Sequence, residues 1–283
     1  MSYEAEISRV NPTCFLFLVD QSGSMAERWG GEVGKTKAQG VADAINRLLE
    51  TLITRCSKGD YIADRYHVGV IGYGGDVSLG FPIDALAGSI LQPVSLIDAN
   101  PLRIEERIRR SDDGTGRLLE QRVMLPMWLE PKASGKTPMC AAFRAAYEVI
   151  CGFIAQRPAC FPPIVINITD GMASDGDAGQ LLQWATAIRG AASQDGNVLL
   201  MNVHVSARGE TPVLLPTDER YLPDDYARLL FRMSSPLPPA MLRQAQILEA
   251  SVPNGAVGFA FNADLASVIM FLDVGTRGDN MVR

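Results

Sequence analysis

The sequence predicts an α/β fold of three layers, with helices on both faces of a mostly parallel central sheet. Two observations lead there. Short continuous apolar runs, TCFLFLV and PIVINIT among them, read as strands buried on both faces. Between such runs lie longer stretches with apolar residues at i, i+3 and i+4, the stripe of an amphipathic helix. Strands alternating with helices form βαβ units, which demand parallel pairing.

Taken in order, Thr13 to Val19 is the first strand. Lys35 to Arg55 is a helix, with Ala38, Val41, Ala42, Ile45, Leu48, Leu49, Leu52 and Ile53 on its stripe. Tyr66 to Tyr73 is a second strand, and Val77 to Ile83 is its hairpin-like partner, the expected antiparallel edge. Thr137 to Gln156 is helical along Met139, Ala142, Ala146, Val149, Ile150 and Phe153, with Thr137 as N-cap and Pro138 in the first turn. Pro163 to Thr169 and Asn197 to Val205 are strands separated by a helix from Ala178 to Ala192. Asp224 to Ser234 and Pro239 to Leu248 are helical pieces. Ala256 to Phe261 is the last strand, and Asn262 caps a final helix carrying Leu265, Val268, Ile269 and Leu272. No linker or internal repeat divides the chain. It reads as a single domain, 1–283, with a core of about 12–275 and an irregular insert near 88–135.

Composition narrows the class. At 283 residues and 47% hydrophobic, the chain can bury a substantial core. A formal charge of −6 argues against a general nucleic-acid or anionic-membrane binder. The first residues, MSYEAEISRV, lack the charged and apolar regions of a secretory signal. No apolar run approaches the roughly 18 residues of a spanning helix. The five cysteines are odd in number and lack a C-x-x-C spacing, which excludes a disulfide framework or zinc site and fits a reducing compartment; a cytoplasmic protein is expected.

The insert carries arginines at 103, 107, 109, 110, 117 and 122 against acids at 105, 106, 112, 113 and 120. This near balance reads as a solvated, ion-paired surface. Asp112-Asp113-Gly114 reads as a turn, and Trp128 as a packed surface tryptophan.

Chemistry concentrates at strand ends. In an open α/β sheet, ligands bind beyond the carboxyl ends of the strands, where loops converge. Asp20 ends the first strand and is followed by Ser22 and Ser24; Asp170 ends a later strand; Thr137 opens a helix. All five are oxygen donors, a set that suits a hard cation, Mg²⁺ first, with Mn²⁺ and Ca²⁺ as alternatives. Serine and threonine hydroxyls are neutral, so such an ion retains charge to attract a carboxylate from another molecule. Met25 and Trp29 flank this loop, either as exposed apolar contacts or packed beneath the insert.

The stretch Asp20-Gln21-Ser22-Gly23-Ser24-Met25 resembles the D-x-S-x-S signature of von Willebrand factor A-type (vWA) domains, and Thr137 and Ile168-Thr169-Asp170-Gly171 match the other parts of that family's metal-ion-dependent adhesion site. The resemblance spans roughly residues 12–275 and is nearest to bacterial intracellular members. It implies a Rossmann-like α/β/α fold. Ser22, Ser24 and Thr137 would ligate the metal, with Asp20 and Asp170 acting directly or through water. It further implies a non-catalytic module in signalling or stress response that binds a partner's Asp or Glu. The resemblance places the expected partner among kinases, phosphatases or AAA-type ATPases. Thr137 lies further along the chain than in compact members, so the insert is expected to shape or cover the binding face.

Competing readings fare worse. SGKT at 134–137 would need glycine at position 130 to be a P-loop, and Glu130 stands there. GYGGD at 72–76 reads as a turn. A metal-dependent phosphatase or hydrolase is the main alternative, but Ser22 occupies the place of a second catalytic aspartate. His67 and His204 lie within strands and read as structural, and Cys140 reads as a small packed residue, so no nucleophile–base pair is apparent. A scaffold with a vestigial metal site is the third reading, disfavoured by the complete donor set.

Overall fold

The computed structural model describes residues 3–30, 34–112, 118–207, 211–249 and 251–276. Its strands are β1 (Thr13–Asp20), β2 (Ser57–Lys58), β3 (Tyr61–Ile62), β4 (Tyr66–Gly74), β5 (Asp76–Leu79), β6 (Leu91–Pro93), β7 (Arg103–Asp112), β8 (Leu118–Met127), β9 (Ile164–Thr169), β10 (Leu199–Val205), β11 (Val213–Leu214) and β12 (Phe259–Ala263). Its α-helices are α1 (Lys37–Cys56), α2 (Val94–Ala99), α3 (Met139–Gln156), α4 (Ala178–Gly190), α5 (Asp225–Met233), α6 (Pro239–Leu248) and α7 (Leu265–Thr276).

The main sheet runs β11-β12-β10-β9-β1-β4-β5, with β6 also on β4. Strands β12, β10, β9, β1 and β4 are parallel neighbours, as expected of buried apolar runs. Antiparallel strands lie at both edges, β5 and β6 on β4 and β11 on β12, where the sequence reading has one. The chain leaves β1 towards β4 and leaves β9 towards β10, so the β1/β9 boundary is the topological switch point, where an α/β sheet opens a crevice.

Alternation along β1 builds a core on each face. Phe15 and Phe17 join Val41, Ile45, Leu49 and Leu52 of α1 and Phe271 of α7. Cys14, Leu16 and Leu18 join Phe143 and Ile150 of α3, Leu181 of α4 and Leu230 of α5. Burying each such side chain contributes about 1.5–3 kcal/mol. A polar chain crosses the sheet inside the second core. The Tyr73 hydroxyl donates to Asn167 Oδ1 (2.7 Å), Asn167 Nδ2 donates to Asn202 Oδ1 (3.0 Å), and Asn202 Nδ2 donates to Ser234 Oγ (2.9 Å).

The insert resolves into ordered parts. Strands β7 and β8 form a separate two-stranded sheet. The turn at Asp112-Asp113-Gly114 falls outside the described residues beyond Asp112. Ion pairing governs the near side of this hairpin, as the charge balance implies. Arg107 bridges Asp43 of α1 and Glu105 at 2.9 Å each, and Arg103 pairs with Glu105 and Glu130. Trp128 corrects the sequence reading. It is fully buried, its indole N–H donating to the Ile97 carbonyl at 2.7 Å. Asn46 of α1 holds the chain there. Its Oδ1 accepts from the backbone N–H groups of Trp128 (2.8 Å) and Leu129 (3.0 Å), and its Nδ2 donates to the Leu129 carbonyl (2.9 Å). The final helix is capped by Asp264, whose carboxylate accepts from Ser267 N at 2.7 Å, and not by Asn262. Asn262 lies within β12 with φ 53°.

Candidate metal centre

Strand β1 delivers Asp20, and β9 ends one residue before Asp170. Because β1 and β9 are adjacent and parallel, Val19 faces Ile168 and both carboxylates emerge at one sheet edge. Asp20 is buried and fully engaged. Its Oδ1 accepts from Ser22 N at 2.8 Å and its Oδ2 from Thr169 Oγ1 at 2.8 Å. Burial pushes its carboxyl above the usual range, and the Ser22 and Thr169 hydrogen bonds pull against that.

The Ser22–Ser24 turn then brings the hydroxyls together. Ser22 Oγ and Ser24 Oγ are 3.1 Å apart, and Ser24 Oγ donates to Asp170 Oδ1 at 2.8 Å. Asp170 Oδ2 lies 2.6 Å from the ammonium of Lys37, the first residue of α1. Lys37 also reaches Glu27 Oε2 at 3.0 Å.

Thr137 is seated by a loop stitched to this edge. Ser134 N donates to the Gln21 carbonyl (2.7 Å), Gly23 N to the Gly135 carbonyl (3.0 Å), and Gly75 N to the Lys136 carbonyl (3.0 Å). Gly135 has φ +74°, and a Cβ there would lie 2.4 Å from Gly75 Cα, so only glycine permits this approach. Thr137 N donates to Ser174 Oγ at 3.0 Å and its carbonyl accepts from Ser174 N at 2.8 Å, tying it to the loop after β9. The sequence predicts Thr137 as the N-cap of α3, and the structure does not bear this out. Pro138 holds that position, and the Asp175 carboxylate takes the helix N–H groups of Cys140 (3.0 Å) and Ala141 (2.8 Å). A distant carboxylate has displaced the local cap, which frees the threonine hydroxyl from that duty.

The structure thus brings Asp20, Ser22, Ser24 and Asp170 into one hydrogen-bonded cluster and places Thr137 in the loop adjoining it. Met25 and Trp29 are buried. Trp29 lies against Gly40 of α1, where a Cβ would sit 2.0 Å from its ring, and donates to the Ala263 carbonyl at 2.9 Å. It is held by α1 and β12, not by the insert. The end of the insert meets the cluster, 129–132 lining a cavity beside Asp20 and Ser134 and Gly135 bonding to Gln21 and Gly23, while the β7–β8 hairpin docks on α1.

Sequence reasoning assigned no role to four participants, of which only Thr169 lies in a quoted motif. Thr169 and Tyr226 support the loop from below, Thr169 through Asp20 and Tyr226 through the Gly171 carbonyl. Lys37 and Glu27 carry no motif, and only the tertiary fold sets them here. His204 is buried, stacks on Phe261 with ring centroids 4.3 Å apart, and accepts from Asn262 N at Nδ1, so it is structural as read. Burial pushes the Cys140 thiol up to about 11, which removes it as a nucleophile at neutral pH.

The spacing of the oxygens tests whether a divalent cation suits them. An octahedral ion with bonds of about 2.0–2.1 Å sets adjacent ligands about 3 Å apart. The Ser22–Ser24 and Ser24–Asp170 separations, 3.1 and 2.8 Å, meet that requirement. The donors are hard, and Asp20 already acts as the orienting group behind them.

Fold and site together define a three-layer α/β protein with a divided oxygen-donor cluster at its switch point. Comparison with solved structures finds similar chains. One is described as von Willebrand factor type A from Catenulispora acidiphila, with TM-score 0.47 and 14% identity over 94% of this chain. Another is the vWF domain of the type V pili tip protein Mfa5 from Porphyromonas gingivalis, with TM-score 0.34 and 10% identity over 58% of this chain. A third is the PilB minor pilin from Streptococcus sanguinis, with TM-score 0.31 and 13% identity over 57% of this chain. The chain spans 42%, 39% and 30% of their respective lengths. No protein-family model and no curated protein matches the chain. The fold class rests on the strand order and register given above. Among the described residues no helix is long and apolar enough to cross a membrane.

Proposed function

We propose that this chain is a vWA-type, metal-dependent protein-interaction module. Ser22, Ser24 and Thr137 would hold a divalent cation, Mg²⁺ first, with Asp170 beside them and Asp20 orienting the serine loop. The observation that carries the reading is the run of hard oxygens from Ser22 through Ser24 to Asp170, with neighbours 3.1 and 2.8 Å apart, backed by Asp20, whose two oxygens are already committed. When bound, the ion supplies a coordination point for an Asp or Glu of a partner protein. The residues of the chain supply its shape: neutral hydroxyls that leave the charge unquenched, and a buried Asp20 that fixes the loop. The module is proposed to be non-catalytic and cytoplasmic, its partner a kinase, phosphatase or AAA-type ATPase of a bacterial signalling or stress-response system.

The test is metal binding by calorimetry and thermal shift, combined with phosphate release from a generic phosphomonoester. Wild type should melt higher with Mg²⁺ or Mn²⁺, the shift should vanish in Asp20→Ala and Ser22→Ala, and no phosphate should appear. A folded wild type with no metal-dependent shift overturns the reading. Asp20-dependent phosphate release would replace it with the phosphatase alternative.

A further inference from the structure

We propose that Lys37 is the resident counter-cation of this centre and sets its affinity for a divalent ion by competing for Asp170. The inference rests on the metal reading above.

Lys37 occupies a costly position. Its side chain is only 4% exposed, and that of Asp170 is wholly buried. An ammonium removed from water is destabilising unless an opposite charge lies against it. It also opens α1, where the exposed N–H groups and the helix dipole disfavour a positive charge. Apolar packing offers no compensation for an ammonium, and the ion pairs with Asp170 at 2.6 Å and Glu27 at 3.0 Å supply it instead. The backbone fixes the placement as well, since Lys37 N donates to the Glu27 carbonyl at 3.0 Å.

The consequence concerns Asp170. Its Oδ1 accepts from Ser24, while its buried Oδ2 lies 2.6 Å from the Lys37 ammonium and accepts no hydrogen bond among the described residues, so Lys37 balances its charge without occupying it as an acceptor. A cation entering beside Ser22 and Ser24 meets a carboxylate whose charge Lys37 already balances, and meets the ammonium itself as a like charge. A few ångströms of separation in a poorly solvated site make that repulsion substantial. Lys37 therefore keeps the metal-free centre intact and lowers its affinity for metal. Glu27, on the solvent side and 60% exposed, draws part of the ammonium's charge away from Asp170.

Calorimetric titration of the full chain with Mn²⁺ tests this. Lys37→Met should bind Mn²⁺ at least tenfold more tightly than wild type, Lys37→Arg within about threefold of it, and Glu27→Gln several-fold more weakly. A thermal readout separates this from a merely structural ion pair. In EDTA, Lys37→Met should melt below wild type, because Asp170 is left buried and unpaired, and saturating Mn²⁺ should raise its melting temperature by more than it raises that of wild type. Equal or weaker Mn²⁺ binding by a folded Lys37→Met, with wild type binding normally, overturns the proposal alone. Binding by Lys37→Met but not by wild type supports it in its strongest form. Absence of Mn²⁺ binding in both folded proteins overturns the metal reading and this proposal with it. Should Lys37→Met fail to fold, Glu27→Gln decides: weaker binding supports the proposal and unchanged binding overturns it.

Discussion

His204 shows how a side chain can be fixed in one protonation state by its surroundings. Burial holds its imidazole down at about 4, while the nearby Asp170 and Asp224 charges pull the other way and lose. Protonation would also remove the acceptor that Asn262 N uses at 3.3 Å. The folded value lies below the unfolded value of about 6.5, so the neutral form belongs to the folded state and the charged form favours unfolding. Its contribution is complete above pH 6.5 and is lost as pH falls from there towards about 4, on the order of 3 kcal/mol in total. Urea unfolding of the metal-free protein at pH 7.5 and 4.5 should therefore show a steeper loss in wild type than in His204→Asn; equal losses would contradict it. At this scale the sequence was readable where chemistry is written in the residue type. Asp20, Ser22, Ser24, Thr137 and Asp170 each read alone as a turn or cap residue, and only their placement together at strand ends, with the vWA resemblance, singled them out. Lys37 could not be singled out, because a lysine at a helix start reads as a solvated charge until the fold lays it against Asp170.

At the scale of elements, helix existence followed from apolar periodicity, while helix ends often did not. The Lys35–Arg55 reading became Lys37–Cys56 with a capping box at Thr36, a change of one or two residues. The starts of α3 and α7 moved for a different reason. Their N–H groups are taken by Asp175, remote in sequence, and by Asp264, two residues past the residue expected to cap. A local pattern cannot anticipate the cap of α3, which arrives from another segment, whereas that of α7 is local and differs only in position. The burial of Trp128 has the same origin as the α3 cap. It reads as a packed surface tryptophan beside a charged insert, yet Asn46, 82 residues away, clamps its backbone to α1. Asn46→Ala would leave the Trp128 and Leu129 N–H groups and the Leu129 carbonyl buried without that partner. Each unsatisfied group costs about 1–3 kcal/mol. Chemical denaturation should show a loss of about 2–4 kcal/mol, larger than for an exposed helix asparagine, and a loss below 0.5 kcal/mol would contradict the clamp.

For the molecule as a whole, the three layers were legible because alternating strands and helices admit few arrangements, but the strand order was not. Nothing in the apolar runs states that β9 crosses to the far side of β1, although the site depends on it. The hairpin β7–β8 was legible only at its tip, where Asp112-Asp113-Gly114 reads as a turn, since its balanced charges describe a surface without describing strands. It pairs only with itself, and its two ends are already joined, with Leu102 N donating to the Met127 carbonyl at 2.8 Å. Replacing residues 104–126 by a short Gly-Asn turn should therefore leave a cooperatively folded protein with the same far-ultraviolet spectrum per sheet residue and unchanged Mn²⁺ affinity. Loss of cooperative unfolding would show that the hairpin is part of the core. The polar chain from Tyr73 through Asn167 and Asn202 to Ser234 has a consequence of another kind. Asn167 and Asn202 are register partners, as are Tyr73 and Asp20. Were β9 to slip by one residue, Asn167 would turn to the opposite, apolar face and, in the same motion, Asp170 would move about one residue rise away from Asp20. The asparagine ladder thus serves as a gauge of alignment: it ties β9 to β10 and, through Tyr73 opposite Asp20, to β4, and the place of Asp170 beside Asp20 follows from the register of β9.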